Sequence, residues 1–143
     1  MKRNSDRGAA AVEFALVMPV LLIVVFGIID FGRMLSAQLQ VSEAAREGAR
    51  AASVITGTPD DRADAAGARI SAFSASTVGS VRLNSTSDFC SSTPAAGDDN
   101  VVIAESDFHF ITPVGDLGAL LFGGGRWGDA FTIQSTSVMP CRG

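Results

Sequence analysis

One histidine, one tryptophan, two cysteines and five prolines in 143 residues leave little material for reactive chemistry. The two cysteines and the lone His109 are too few for a four-ligand metal centre. No serine stands in a Gly-x-Ser-x-Gly elbow. The stretch GGGR, Gly123 to Arg126, lacks the Gly-Lys-Ser/Thr ending of a phosphate loop and reads as a flexible connection. Basic residues are scattered rather than clustered, which argues against a nucleic-acid footprint. No internal repeat is present. Catalytic residues, cofactors, metal and a small-molecule substrate are therefore all expected to be absent.

Charged residues are also scarce, at 18% of the chain, and mean hydropathy is +0.30. Most of that excess lies in FALVMPVLLIVVFGII, Phe14 to Ile29, where no charge occurs. Counted from Gly8, the segment contains one charge, Glu13, and as a helix is roughly 33 Å long, enough to span a bilayer. A carboxylate entering hydrocarbon costs a few kcal/mol, so such a residue usually has a partner and a purpose. Lys2, Arg3 and Arg7 precede the block with only Asp6 opposing them, and basic residues beside a span are retained on the cytoplasmic side. Residues 1–8 should stay inside, 9–29 should cross, and the remainder should be exported.

The helix does not end at the apolar block. Asp30 to Val54 lacks proline and is rich in helix formers, so one helix is expected from about Ala9 to about Ser53. Pro19 is a candidate kink, and Gly27 and Gly32 are weaker points. Val41, Ala45, Gly48 and Ala52 form a narrow stripe of small side chains in residues 30–55. Asp30/Arg33, Glu43/Arg46 and Glu47/Arg50 stand as opposite charges at i,i+3.

Residues 56–143 read as a small α+β domain. Thr58 is an expected N-cap, Pro59 suits the first helical position, and Asp60 and Asp61 favour the positive end of the dipole. That second helix should run from Pro59 to about Ser74 and bury Ala63, Ala66, Ile70 and Phe73. Three antiparallel strands are expected: Ser80 to Thr86, Val101 to Ile111, and Ala130 to Met139. One helical turn is expected near Leu117 to Phe122. His109 falls inside the second strand and reads as a partly buried structural residue. Trp127 reads as filling the end of the core, and Asp98/Asp99 as a solvated turn. Cys90 and Cys141 both lie in the part expected to be exported, where an oxidising compartment favours their pairing.

The stretch RGAAAVEFALVMPVLLIVVFGIIDFGRML closely resembles the N-terminus of TadE-like proteins, the pseudopilins of tight-adherence (Flp-type) pilus systems. The likeness rests on Gly8 followed five positions later by Glu13, on the Glu13-Phe14 pair, and on Asp30-Phe31-Gly32-Arg33 after Gly27. It extends through the Ala/Arg-rich AAREGARAAS, Ala44 to Ser53, and so covers about residues 7–53. The resemblance implies a single-pass bacterial inner-membrane precursor with its N-terminus in the cytoplasm and its C-terminal domain outside. It implies a prepilin peptidase cutting between Gly8 and Ala9, which would make Glu13 the fifth residue of the mature chain. It also implies other pilin-like subunits and a pilus assembly platform as partners, with Glu13 pairing with the free amine of a neighbour. TadF-like proteins share this N-terminal logic and stay open, and the longer TadG-like relatives carry a further domain.

Two other readings fit the N-terminus. An uncleaved span would leave Glu13 near the inner interface. A signal peptide would be removed after Leu35-Ser36-Ala37, but the apolar run is longer than such peptides carry and more helix follows it.

Overall fold

The structure is a computed structural model, and it describes residues 5–73, 79–112 and 131–141. It contains α1 (Ser5–Val54), α2 (Pro59–Ser71), β1 (Arg82–Leu83), β2 (Asp99–Phe108) and β3 (Phe131–Pro140). The fold is α+β: a long apolar N-terminal helix, a second helix and one three-stranded antiparallel sheet in the order β1-β2-β3. The described residues fall into two units, one of 5–32 with 110–112, the other of 33–73, 79–109 and 131–141.

In the first unit, α1 begins at Ser5, four residues before the expected Ala9, and continues through Pro19. Every residue from Gly8 to Leu21 is exposed. The most apolar window of this helix has a mean hydropathy of 2.8 and none of it is buried within the protein. Among the described residues its long aliphatic and aromatic side chains thus find no cover, which in water would be unfavourable by roughly 25 cal/mol per Å².

In the second unit, the same helix changes character. Ala37, Val41, Ala44, Ala45, Ala49 and Ala52 are buried together with Gly48. A Cβ on Gly48 would lie 2.8 Å from Ile70 Cδ1 and 3.3 Å from Val102 Cγ1. Small residues let α1 approach α2 and β2 this closely, and glycine is the one residue that fits at the crossing.

α2 starts as expected at Thr58, with Pro59 in the first turn. Asp61 N donates to Thr58 Oγ1 at 3.3 Å, and Thr58 N donates back to Asp61 Oδ2 at 2.9 Å, closing a capping box. Donation to the carboxylate from Thr58 N first and from Thr58 Oγ1 second holds the Asp61 carboxyl below the usual range. The helix ends at Ser71, and Ser74, its expected end, lies outside the described residues. Ala66 and Ile70 are buried, whereas Ala63 and Phe73 are only half-buried. The third buried position is Arg62, absent from the sequence expectation.

The strands are offset from their expected limits. β1 is two residues long rather than seven, because only Arg82 and Leu83 find ladder partners, Glu105 and Ala104. β2 starts two residues early and ends at Phe108, which leaves His109 exposed beyond the strand rather than partly buried within it. The ten-residue ladder from Asp99↔Pro140 to Phe108↔Phe131 fixes both limits. Val102, Ala104, Ser106 and Phe108 form the buried face, as the alternation implies. The expected turn at Leu117 to Phe122, the glycine loop Gly123 to Arg126, Trp127 and Ala130 lie outside the described residues.

A disulfide joins Cys90 to Cys141, with their Cα atoms 6.1 Å apart. It closes a separation of 51 residues, a constraint on the unfolded chain of roughly 4 kcal/mol. Cys141 N also donates to Asp98 O at 2.9 Å, extending the β2–β3 ladder to the bridge.

Candidate functional site

The N-terminal quarter of α1 carries the residues singled out for processing and assembly. Gly8, Ala9, Glu13 and Phe14 all lie in helix and all are exposed. Nothing stands within 4 Å of where a Gly8 Cβ would be. Ala9 and Glu13 are one helical turn apart, so they share a face. Among the described residues no side chain pairs with the Glu13 carboxylate. The arrangement presents an acid on an apolar helix whose faces are open to lipid or to another helix.

Asp30 marks the far end of the apolar block, and sequence reasoning missed its role. It is 3% exposed, and its two oxygens accept from Ile111 N at 3.3 Å and Thr112 N at 3.3 Å, with Thr112 Oγ1 as a third donor. Three donors offset the cost of burying the charge. The sequence offered only a neighbour three residues away, Arg33. The Arg33 guanidinium lies 5.3 Å from the centre of the Phe108 ring, and its Nη1 donates to His109 O at 3.3 Å. A partner 81 positions distant leaves no local signal. Glu43–Arg46 at 3.2 Å and Glu47–Arg50 at 4.0 Å form ion pairs at the expected i,i+3 spacing, both solvent-exposed.

The C-terminal end of α1 is tied down by Arg62. Its Nη1 donates to Ala52 O at 2.9 Å, satisfying one of the carbonyls a helix end leaves unbonded. The side chain is 1% exposed, and its Nε has no hydrogen-bond partner. Beside it, α1 and α2 enclose an open groove of about 670 Å³ with a floor of Ala51, Val54, Ala65 and Ala68. Glu47, Arg50 and Arg69 are its charged lining residues. Sequence patterning did not find this groove, because its walls come from two helices joined by a break.

The outer face of the sheet holds a polar network. Arg82 donates through Nε to Glu105 at 2.8 Å and through Nη1 to Asp107 at 2.9 Å. Glu105 also accepts from Asn84 Nδ2 and from Gln134 Nε2, and Asp107 accepts from Thr132 Oγ1. The Asn84 hydrogen bond, followed by Arg82 and Gln134, holds the Glu105 carboxyl below its ordinary range against the opposing effect of burial. Arg82 first and Thr132 second do the same for Asp107. These cross-strand contacts fasten β1 to β2 and β2 to β3. They form no candidate site, and among the described residues no group of three or more His, Cys, Asp or Glu is placed to hold a metal.

Comparison with known proteins adds one finding. No curated protein and no solved structure matches the chain. Residues 8–50, which begin at Gly8 and run through the apolar block into the Ala/Arg-rich helix, match the family model of TadE-like proteins, the family whose likeness the N-terminal motifs carry.

Proposed function

We propose that this chain is a pilin-like subunit or assembly factor of a tight-adherence pilus, anchored in the inner membrane by α1. In this reading a prepilin peptidase cuts between Gly8 and Ala9. The new amine of Ala9 and the carboxylate of Glu13 then pair between neighbouring copies, each offsetting the cost of placing the other in lipid. The observation that carries the reading is the family match starting at Gly8 on a helix whose apolar surface its own chain leaves uncovered. The open Glu13 carboxylate supports it. The exported domain has a structural role, and its sheet network and disulfide are the means by which a small fold stays intact outside the cell.

A second reading, an uncleaved anchor, is favoured by one feature: the Gly8–Ala9 bond lies within a helix that starts at Ser5. A peptidase needs this turn opened before it can cut. Intact mass of the membrane-extracted protein decides between them. A chain beginning at Ala9 supports the pilin-like reading, and a full-length chain in cells with a competent peptidase overturns it. Glu13→Val should then abolish assembly while leaving membrane insertion unchanged.

A further inference from the structure

The charged residues just past the apolar block do not interrupt the exposed apolar surface of α1. Asp30 is buried, and Arg33 is half-buried, with its guanidinium at Phe108 and His109 O. Between Glu13 and Glu43, therefore, no charged residue of α1 is fully exposed. Large apolar side chains continue through Phe31 to Leu35, 50% exposed, and Leu39, 63% exposed, at i+4 spacing along one face. Gly32 and Ser36 stand beside them, both exposed, and nothing lies within 4 Å of where a Gly32 Cβ would be.

This apolar surface is too long for lipid to cover. From Gly8 to Leu39, α1 measures about 48 Å at about 1.5 Å per residue, against a hydrocarbon core of about 30 Å. Tilting the whole length into that core needs about 50°, beyond the roughly 0–40° of spanning helices. Sliding the helix only moves the gap. A core of about 20 residues that ends at Leu39 starts near Val20 and leaves Val12, Phe14 and Leu16 in water. With Arg7 holding Gly8 at the inner boundary, Leu35 and Leu39 are the part left over.

We infer that the Leu35–Leu39 face of α1 is covered by the same face of a second copy, in a parallel, in-register pair just outside the membrane. Copies anchored by α1 in one membrane run parallel and sit at one depth, so like residues stand at like heights. A contact about a two-fold axis along the membrane normal then sets Leu35 against Leu35 and Leu39 against Leu39. Such a contact tolerates no charge, because every charge would meet its own copy. The face from Phe31 to Leu39 meets that condition, and Glu43, the next exposed residue of the row, ends it. A partner of different sequence would set no such condition. Gly32 and Ser36 supply the small side chains that let two helix backbones approach, and the leucines fill the space beside them. The inference rests on the membrane anchorage proposed above and is independent of the cleavage.

Cysteine cross-linking of the full-length protein in its membrane tests this. Leu35→Cys alone and Leu39→Cys alone should each give a covalent homodimer, and Ala68→Cys, exposed on α2, should give none. Both leucines are exposed, so neither substitution disturbs the fold. Adding Leu39→Glu to the Leu35→Cys chain should lower the dimer yield about tenfold, the scale of one leucine taken out of a contact. Equal yields at all three positions, or a yield that Leu39→Glu leaves unchanged, overturn the inference. So does a product of another mass in place of the homodimer, which gives the face to a different protein, or no product, which gives it to lipid. Intact mass on the same membranes separates the two proposals. A chain trimmed to Ala9 that gives no dimer rejects this contact alone, and a dimer of untrimmed chains rejects the processing reading alone.

Discussion

The two halves of α1 are one helix built for two solvents. From Gly8 to Leu21 every residue is exposed, and the large side chains Val12, Phe14, Leu16, Val17 and Val20 touch nothing that would hide them from water. From Ala37 to Ala52 the buried face is almost all alanine, glycine and valine. Hydrophobicity alone does not separate these halves. Size does: bulky side chains suit a helix whose surroundings are lipid or other helices, while small ones suit a helix pressed against its own domain.

Matched substitutions on the apolar half of α1 and at the residues packed against its other half should therefore behave differently. The largest contrast is expected between Ile70→Ala and Ile28→Ala. The first opens a cavity beside Gly48 and should cost about 2–5 kcal/mol of domain stability, read by denaturant unfolding in detergent. The second removes the same atoms from an exposed site and should leave that transition within about 0.5 kcal/mol. Equal losses would mean that the apolar half also packs within its own chain. Next in size, reduction of Cys90–Cys141 should lower stability by up to roughly 4 kcal/mol, with no effect on membrane insertion of α1.

Gly48→Ala places a methyl group against Ile70 and Val102 and should cost about 1–3 kcal/mol, whereas Gly27→Ala, with open space around it, should be neutral or slightly stabilising. The smallest expected effect is electrostatic. Glu105 and Asp107 both have folded pKa values below their unfolded ones. Their stabilisation is present above the ordinary carboxylate range and is lost as pH falls through the lower folded values. Acid unfolding should therefore be shallower in Glu105→Gln, and an unchanged acid limb would show that the network contributes nothing to the fold.

Local features of this kind were legible in the sequence because their causes are local. Thr58, Pro59 and Asp61 are adjacent and cap α2 as their chemistry requires. Alternation along Val101 to Ile111 puts Val102, Ala104, Ser106, Phe108 and Phe110 on one side; the first four are buried in β2, whereas Phe110 lies beyond the strand and is half-buried. In contrast, His109 was expected within a strand and lies beyond it, because β3 supplies ladder partners only as far as Phe108. Gly8, Ala9, Glu13 and Phe14, the residues proposed for processing and assembly, stand out in the sequence as a motif, while the groove beside Val54 does not. Arg62 was hidden for a similar reason, since a charged residue in a helix pattern reads as solvated until a carbonyl, here Ala52 O, is brought to it.

By itself, then, the sequence determined that a helix of membrane length exists, that it continues as a helix beyond the apolar block, and that a helix and a small antiparallel sheet follow. Periodicity, capping and hydropathy act over a few residues and are written in order along the chain. Only the tertiary structure decided that Asp30 holds the backbone of Ile111 and Thr112, that Arg62 closes the end of α1, and that Gly48 is where α1, Ile70 and Val102 meet. Burial and hydrogen bonding of those groups depend on residues tens of positions away, and chain closure alone brings such residues together.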